Sequence, residues 1–187
     1  MNQRVMKYVV TLSFLFAAFF VAAEETSTRN YQLPDHGLIQ LQVPQSWREE
    51  LRQPPGRLPP TIVFSPKAGT SFQILLTPMF SVRQGMAMPS PSEVKTNVER
   101  AAEHAKSQAV EKTIAVKELK GPSAIGYYFS ATDRSPKPGE YKYMTQGMLR
   151  VGDLAPTFTI LTNDGADSIV VQSLSMLKSA DHVNKAP

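Results

Sequence analysis

Residues 113–161 place the tightest constraint on the fold. Four strand-like runs, Thr113–Leu119, Ile125–Thr132, Tyr141–Val151 and Leu154–Leu161, follow one another with only short links between them. Ser135-Pro136-Lys137-Pro138-Gly139 has turn chemistry, and Gly152-Asp153 is the two-residue linker of a tight hairpin. Links this short leave no room for a crossover, so neighbouring strands are predicted to run antiparallel as a meander.

Upstream, Leu38–Val43 alternates Ile39, Leu41 and Val43 with Gln40 and Gln42, the pattern of a strand with one buried face. Pro44 ends that strand, and Trp47 falls in a short turn or helical segment. Arg52–Pro60, with four prolines and a glycine, is a loop that cannot join a ladder. Thr61–Phe64 and Phe72–Leu76 are predicted as two strands around Pro66-Lys67-Ala68-Gly69. A helix then begins at Ser90, which can cap, with Pro91 in the first position and Glu93 completing a capping box. Its apolar stripe is Val94, Val98, Ala101, Ala102, Ala105 and Ala109, against Lys95, Glu99, Arg100 and Glu103. A stripe of mostly alanine predicts a helix lying close against a sheet.

A closing helix should follow Asn163-Asp164-Gly165, with Asp164 as its cap and Val170, Leu174 and Leu177 on one face beside Ile169 and Met176. Glu24–Asn30 reads as loose and Ala180–Pro187 as frayed, leaving an ordered core of about residues 31–179. The fold class is therefore α+β: an antiparallel sheet of about six to seven strands with two main helices packed on it, in a single domain over 24–187.

Residues 1–23 are expected to be a cleaved secretory signal. Arg4 and Lys7 precede an apolar run from Tyr8 to Val21, and Val21-Ala22-Ala23 places small residues before Glu24-Glu25. The apolar run is about 14 residues, short of the ~20 that span a bilayer as a helix. The alternative is an uncleaved N-terminal anchor. The chain has no cysteine, which removes disulfides, thiolate metal sites, a cysteine nucleophile and a lipid-modified cysteine. An exported domain of this kind must rest on its hydrophobic core, and the periplasm of a Gram-negative bacterium suits it. The formal charge is only +4, and Arg4 and Lys7 supply two of it. So mild and scattered a charge predicts no nucleic-acid footprint.

The opening strand running into proline and tryptophan, Leu41-Gln42-Val43-Pro44-Gln45-Ser46-Trp47, resembles the start of PsbP-like and DcrB-like proteins. The order that follows is similar too: a strand pair, a helix, a meander through Gly126-Tyr127-Tyr128-Phe129 and Tyr141-Lys142-Tyr143-Met144-Thr145-Gln146-Gly147, and a final helix with Leu174-Ser175-Met176-Leu177-Lys178-Ser179. The resemblance implies a PsbP-like (Mog-type) αβα sandwich around an antiparallel sheet. Members include extrinsic photosystem subunits, a partner of a small nuclear GTPase and bacterial envelope proteins; most bind or assemble and do not catalyse. No functional residue carries over, because fold alone does not determine function.

Candidate chemistry is sparse. His36, His104 and His182 are isolated, without the spacing of a metal site. Met79, Met86 and Met88 crowd one loop, and Met144 and Met148 share a strand face. Thioethers suit copper(I), although methionine also fills irregular gaps in packing. Ser175-Met176-Leu177-Lys178 has a bare Ser-x-x-Lys spacing, but an outward Ser175 beside inward Leu174 and Leu177 is ordinary amphipathic helix. Asp133, Glu140 and Asp153 sit at strand ends, where turn residues are common. No phosphate-cradling glycine motif is present.

One cluster remains after this sifting. Tyr127, Tyr128, Tyr141 and Tyr143 flank the proline turn, near Asp133, Arg134, Lys137 and Lys142. Tyrosine and arginine anchor interfaces well, although cross-strand aromatic packing explains part of the pattern. The residues expected to contact a partner are Tyr128, Asp133, Arg134, Lys137, Tyr141 and Lys142. The expected function is a non-enzymatic accessory or binding protein of the bacterial envelope, without a cofactor, acting through contact with an envelope protein. The alternative is a periplasmic small-molecule or copper(I) binder using the Met79–Met88 loop; a hydrolase with dispersed residues ranks last.

Overall fold

The computed structural model describes residues 24–81 and 87–184. The predicted leader and Met86 lie outside the described residues.

Among the described residues, ten strands and two helices follow in chain order. They are β1 (Thr26–Gln32), β2 (Leu38–Pro44), β3 (Trp47–Arg52), β4 (Thr61–Pro66), β5 (Phe72–Met79), α1 (Pro91–Ala105), β6 (Lys117–Lys120), β7 (Ala124–Thr132), β8 (Tyr143–Val151), β9 (Ala155–Thr162), α2 (Asp167–Lys178) and β10 (Asp181–Val183). Seven strands form the main sheet in the order β3-β4-β5-β9-β8-β7-β6, and β1-β2-β10 form a second, three-stranded sheet. Every pairing is antiparallel. The meander predicted from the short links is β6 to β9.

The main sheet is covered on both faces. On one side the small sheet and α2 enclose the larger core, where Leu41, Phe64, Ile74, Leu149, Phe158, Ile160 and Leu177 are buried. On the other side α1 lies over β7 and β8, and Val98 and Ala102 pack against Phe129 and Ala131. The alanines let the helix approach closely, as their spacing predicts. Its start matches as well: the Ser90 amide donates to Glu93 Oε2 at 2.8 Å, and the Glu93 amide donates to Ser90 Oγ at 3.4 Å. The stripe ends sooner than predicted, because Ala109 lies past the helix in a bridge to Asp133.

Three strands occupy segments that the sequence reading left irregular. The loose segment Glu24–Asn30 instead contributes to β1, which pairs with β2 from Thr26↔Pro44 to Gln32↔Leu38. Only Tyr31 of β1 is buried, so no apolar alternation announces the strand. Side chains opposite one another reinforce the ladder: Gln40 Nε2 donates to Asn30 Oδ1, and Gln42 Nε2 to Thr28 Oγ1. The Trp47 segment is the edge strand β3, where Trp47 is buried and the five residues after it are exposed. Charged residues along an unpaired edge discourage further pairing. The tail expected to fray from Ala180 forms β10 against β2. It is held by the His182 ring, which accepts from the Asp153 amide at Nδ1 and places Nε2 2.9 Å from the His36 carbonyl.

Candidate functional site

The two strands at the centre of the predicted cluster, β7 and β8, are joined by residues 133–142. This connection is anchored at its base. The Asp133 amide donates to the Lys142 carbonyl at 2.8 Å. The Arg134 amide donates to the Gln108 carbonyl at 2.9 Å, and its Nη2 to the Ala109 carbonyl at 2.7 Å. Within the loop, the Ser135 amide donates to Asp133 Oδ1, while Lys137 and Glu140 bond each other through amide, carbonyl and carboxylate. Residues 133–140 are all exposed, so a charged loop projects from a fixed base.

Tyr141 is half-buried at this base, and burial raises its hydroxyl pKa above the ordinary value. It lines a hollow of about 160 Å³ together with Gln108, Asp133 and Lys142. Lys142 leans towards the turn before α2: its Nζ donates to Asp164 at 3.0 and 3.2 Å and stands 5.1 Å from the centroid of the Tyr143 ring. Tyr143 donates its hydroxyl to the same carboxylate at 2.5 Å. These two donors, Tyr143 first and then Lys142, hold the Asp164 pKa below its ordinary value. The carboxylate predicted to cap α2 is therefore committed elsewhere, and α2 starts at Asp167 without a side-chain cap bond.

The structure brings Asp133, Arg134, Lys137, Tyr141 and Lys142 to one end of the sheet. Tyr128 is not among them. It pairs opposite Gly147, four residues back along β7 from Thr132, about 13 Å at strand rise, and packs beside the larger core. Tyr127 turns to the other face, where Lys95 Nζ lies 5.9 Å from the centroid of its ring.

Next to this end lies a cleft that the sequence reading missed, about 430 Å³ in volume. It shares Thr132 and Tyr143 with the hollow and adds Ser130, Thr145, Thr162, Asn163 and Asp164. Glu111 stands at its edge. Its carboxylate accepts from the Thr132 hydroxyl at 2.6 Å and from the Thr132 amide at 2.9 Å. Burial pushes the Glu111 carboxyl up, but the Thr132 donors outweigh it and hold the pKa below the ordinary value. The available signal was alternation: Ser130 and Thr132, Tyr143 and Thr145, and Thr162 occupy positions that the same face further along fills with Leu149 and Phe158.

The other candidates include one contact, the His182 ring against the His36 carbonyl. His36 stacks on Phe80 at 4.1 Å between centroids, His182 holds β10, and His104 is exposed. Met144 and Met148 pack against the smaller core beneath α1, and Met79 is exposed at the end of β5. Among the described residues no group of three or more histidine, aspartate or glutamate side chains is placed to hold a metal ion. No described helix is long and apolar enough to cross a membrane.

No family model matches the chain, and no curated protein sequence does. Comparison of structures defines the fold class: a PsbP-like α+β sandwich. The cyanobacterial PsbP, CyanoP, of Synechocystis sp. PCC 6803 superimposes with a TM-score of 0.51 at 8% identity, over 90% of this chain and 99% of that one. At that identity the likeness establishes the fold, as the resemblance in the sequence implied, and leaves function to the sites.

Proposed function

We propose that residues 24–187 form an exported accessory domain of the bacterial envelope that binds another protein and does not catalyse. The observation that supports this most directly is the β7–β8 connection, with residues 133–140 exposed over a base fastened by Arg134 and Asp133 and flanked by the half-buried Tyr141. A loop already held in one shape loses little conformational entropy on binding, so its contacts contribute more fully to affinity. Lys137 and Glu140 supply charge on the projecting part of the loop, and Arg134 and Tyr141 supply charge and an amphipathic surface at its base. The PsbP-like fold agrees with this reading, since the resembling proteins mostly bind or assemble. The apolar run and small residues before Glu24 support export.

Native mass spectrometry of the protein purified from envelope fractions tests both parts. The expected result is a chain beginning at Glu24, found in the periplasmic fraction, with a polypeptide that is retained by the native protein and lost from Lys137→Glu. A chain beginning at Met1 in the cytosol overturns export. A bound copper ion with no polypeptide favours the Met79–Met88 alternative over protein binding.

A further inference from the structure

We propose that the cleft between the β7–β8–β9 end of the sheet and the start of α2 is a binding site for a small neutral saccharide of one or two rings. This site is separate from the exposed loop and does not depend on its role.

The floor of the cleft is an ordered array of hydroxyls. The strand register aligns Thr132, Tyr143 and Thr162 in one row and Ser130, Thr145 and Ile160 in the next, all on one face. Ser130 and Thr145 stand 2.8 Å apart, oxygen to oxygen. Thr145 is only 4% exposed and Thr162 only 3% exposed. Further along the same face stand Leu149 and Phe158 in the larger core. Burying a hydroxyl costs free energy unless its bonds are made. Ser130 with Thr145, Thr132 with Glu111 and Tyr143 with Asp164 each make one such bond, which orders the array. A ligand rich in hydroxyls matches it, because each threonine or serine can both donate and accept and keeps capacity beyond one bond.

The rim selects the ligand further. Glu111, Asp164 and Asp167 line the cleft, and among the described residues no lysine, arginine or histidine does. Lys142, next to the lining residue Tyr143, is already paired with Asp164. Such a rim repels phosphates and carboxylates and accepts hydrogen bonds from neutral hydroxyls. Glu111 is fixed by Thr132 with one bond to each oxygen, so both oxygens keep further lone pairs for neighbouring hydroxyls of a sugar ring. Val170 and Val171 provide an apolar wall for the ring's C–H face, and Val171 is 68% exposed. The volume of about 430 Å³ falls within the range of roughly 300–1,000 Å³ typical of small-molecule sites.

Amide chemical-shift mapping on the full chain tests the assignment, with glucose, N-acetylglucosamine and maltose titrated separately to tens of millimolar. At least one sugar should shift the amides of Thr132, Thr145 and Thr162 in a saturable way. Thr145→Val removes one hydroxyl at nearly constant shape, and Glu111→Gln removes the charge. Both should keep the native spectrum and weaken that sugar by about tenfold or more, the worth of one good hydrogen bond. Inorganic phosphate and putrescine serve as the anionic and cationic probes. Shifts at the cleft from either probe but from no sugar overturn the proposal. So do sugar shifts that map beneath α1, or sugar binding that both variants leave unchanged.

Discussion

Glu111 stands in for a missing strand neighbour of Thr132. β6 ends its pairing with β7 at Lys117↔Tyr128, and beyond that point the open edge of β7 faces the segment that follows α1. The Glu111 carboxylate takes the Thr132 amide at 2.9 Å and the Thr132 hydroxyl at 2.6 Å, completing the edge and forming one wall of the cleft.

Removing this contact should loosen the strand end. Glu111→Ala leaves both the Thr132 amide and its hydroxyl without a partner, which should cost about 1–2 kcal/mol in urea unfolding at neutral pH. Because the folded-state pKa of Glu111 is lowered, its contribution is present above the ordinary carboxylate pKa and is lost as pH falls through the folded value. The difference between native protein and Glu111→Ala should therefore shrink below about pH 4.

A second contact ties the two sheets together. The Tyr31 hydroxyl donates to the Glu49 carboxylate, joining β1 to β3. Burial, and then that bond, raise the Tyr31 pKa above its ordinary value. A raised pKa in an acid means that the contribution is complete below the ordinary tyrosine value and is lost as pH rises above it. Tyr31→Phe should cost about 1–2 kcal/mol near neutral pH, and the penalty should narrow above about pH 10, where native tyrosine begins to ionise on unfolding. Urea unfolding at both pH values measures it.

The Lys142–Asp164 pair should be visible by titration, with little effect on stability. Tyr143 and then Lys142 lower the Asp164 pKa, while Tyr143 and then Asp164 raise that of Lys142. The pair's contribution is therefore intact from above the ordinary aspartate value to below the ordinary lysine value, and is lost outside that window. NMR titration of the Asp164 carboxyl should give a pKa below the ordinary aspartate value. Tyr143→Phe should bring it back towards the ordinary value.

The capping box of α1 is exposed and separable from the rest of the core. Ser90→Ala removes the acceptor for the Glu93 amide and should cost about 1 kcal/mol by thermal or urea unfolding. The spectrum of the cleft residues should be unchanged.

How far the fold can be read from the sequence depends on where each element finds its partners. The meander and α1 are legible because their signals are local: short links, alternation, and Ser90 with Glu93. β1, β3 and β10 are not, because each is a peripheral strand stabilised mainly by its partner strand, with Tyr31 or Trp47 as the only buried side chain of β1 or β3. In Trp47-Arg48-Glu49-Glu50-Leu51-Arg52, good helix formers outweigh any period-two pattern until β4 supplies the ladder. Asp164 was a reasonable cap from its position next to Gly165, but Lys142 and Tyr143, distant in sequence, claim its carboxylate. The exposed loop was legible as a cluster around the proline turn. The cleft was not, because its hydroxyls come from three strands that only the register aligns.

The most direct measurement of the proposed protein contact is photo-crosslinking in living cells, with a photoreactive residue at position 137 and, as a control, at position 153. Asp153 lies in the β8–β9 turn at the opposite end of the same strands. The account predicts one discrete envelope polypeptide captured from position 137, absent from position 153, and lost when Arg134→Glu is added. Equal capture from both positions, or none from position 137 in the intact envelope, contradicts it.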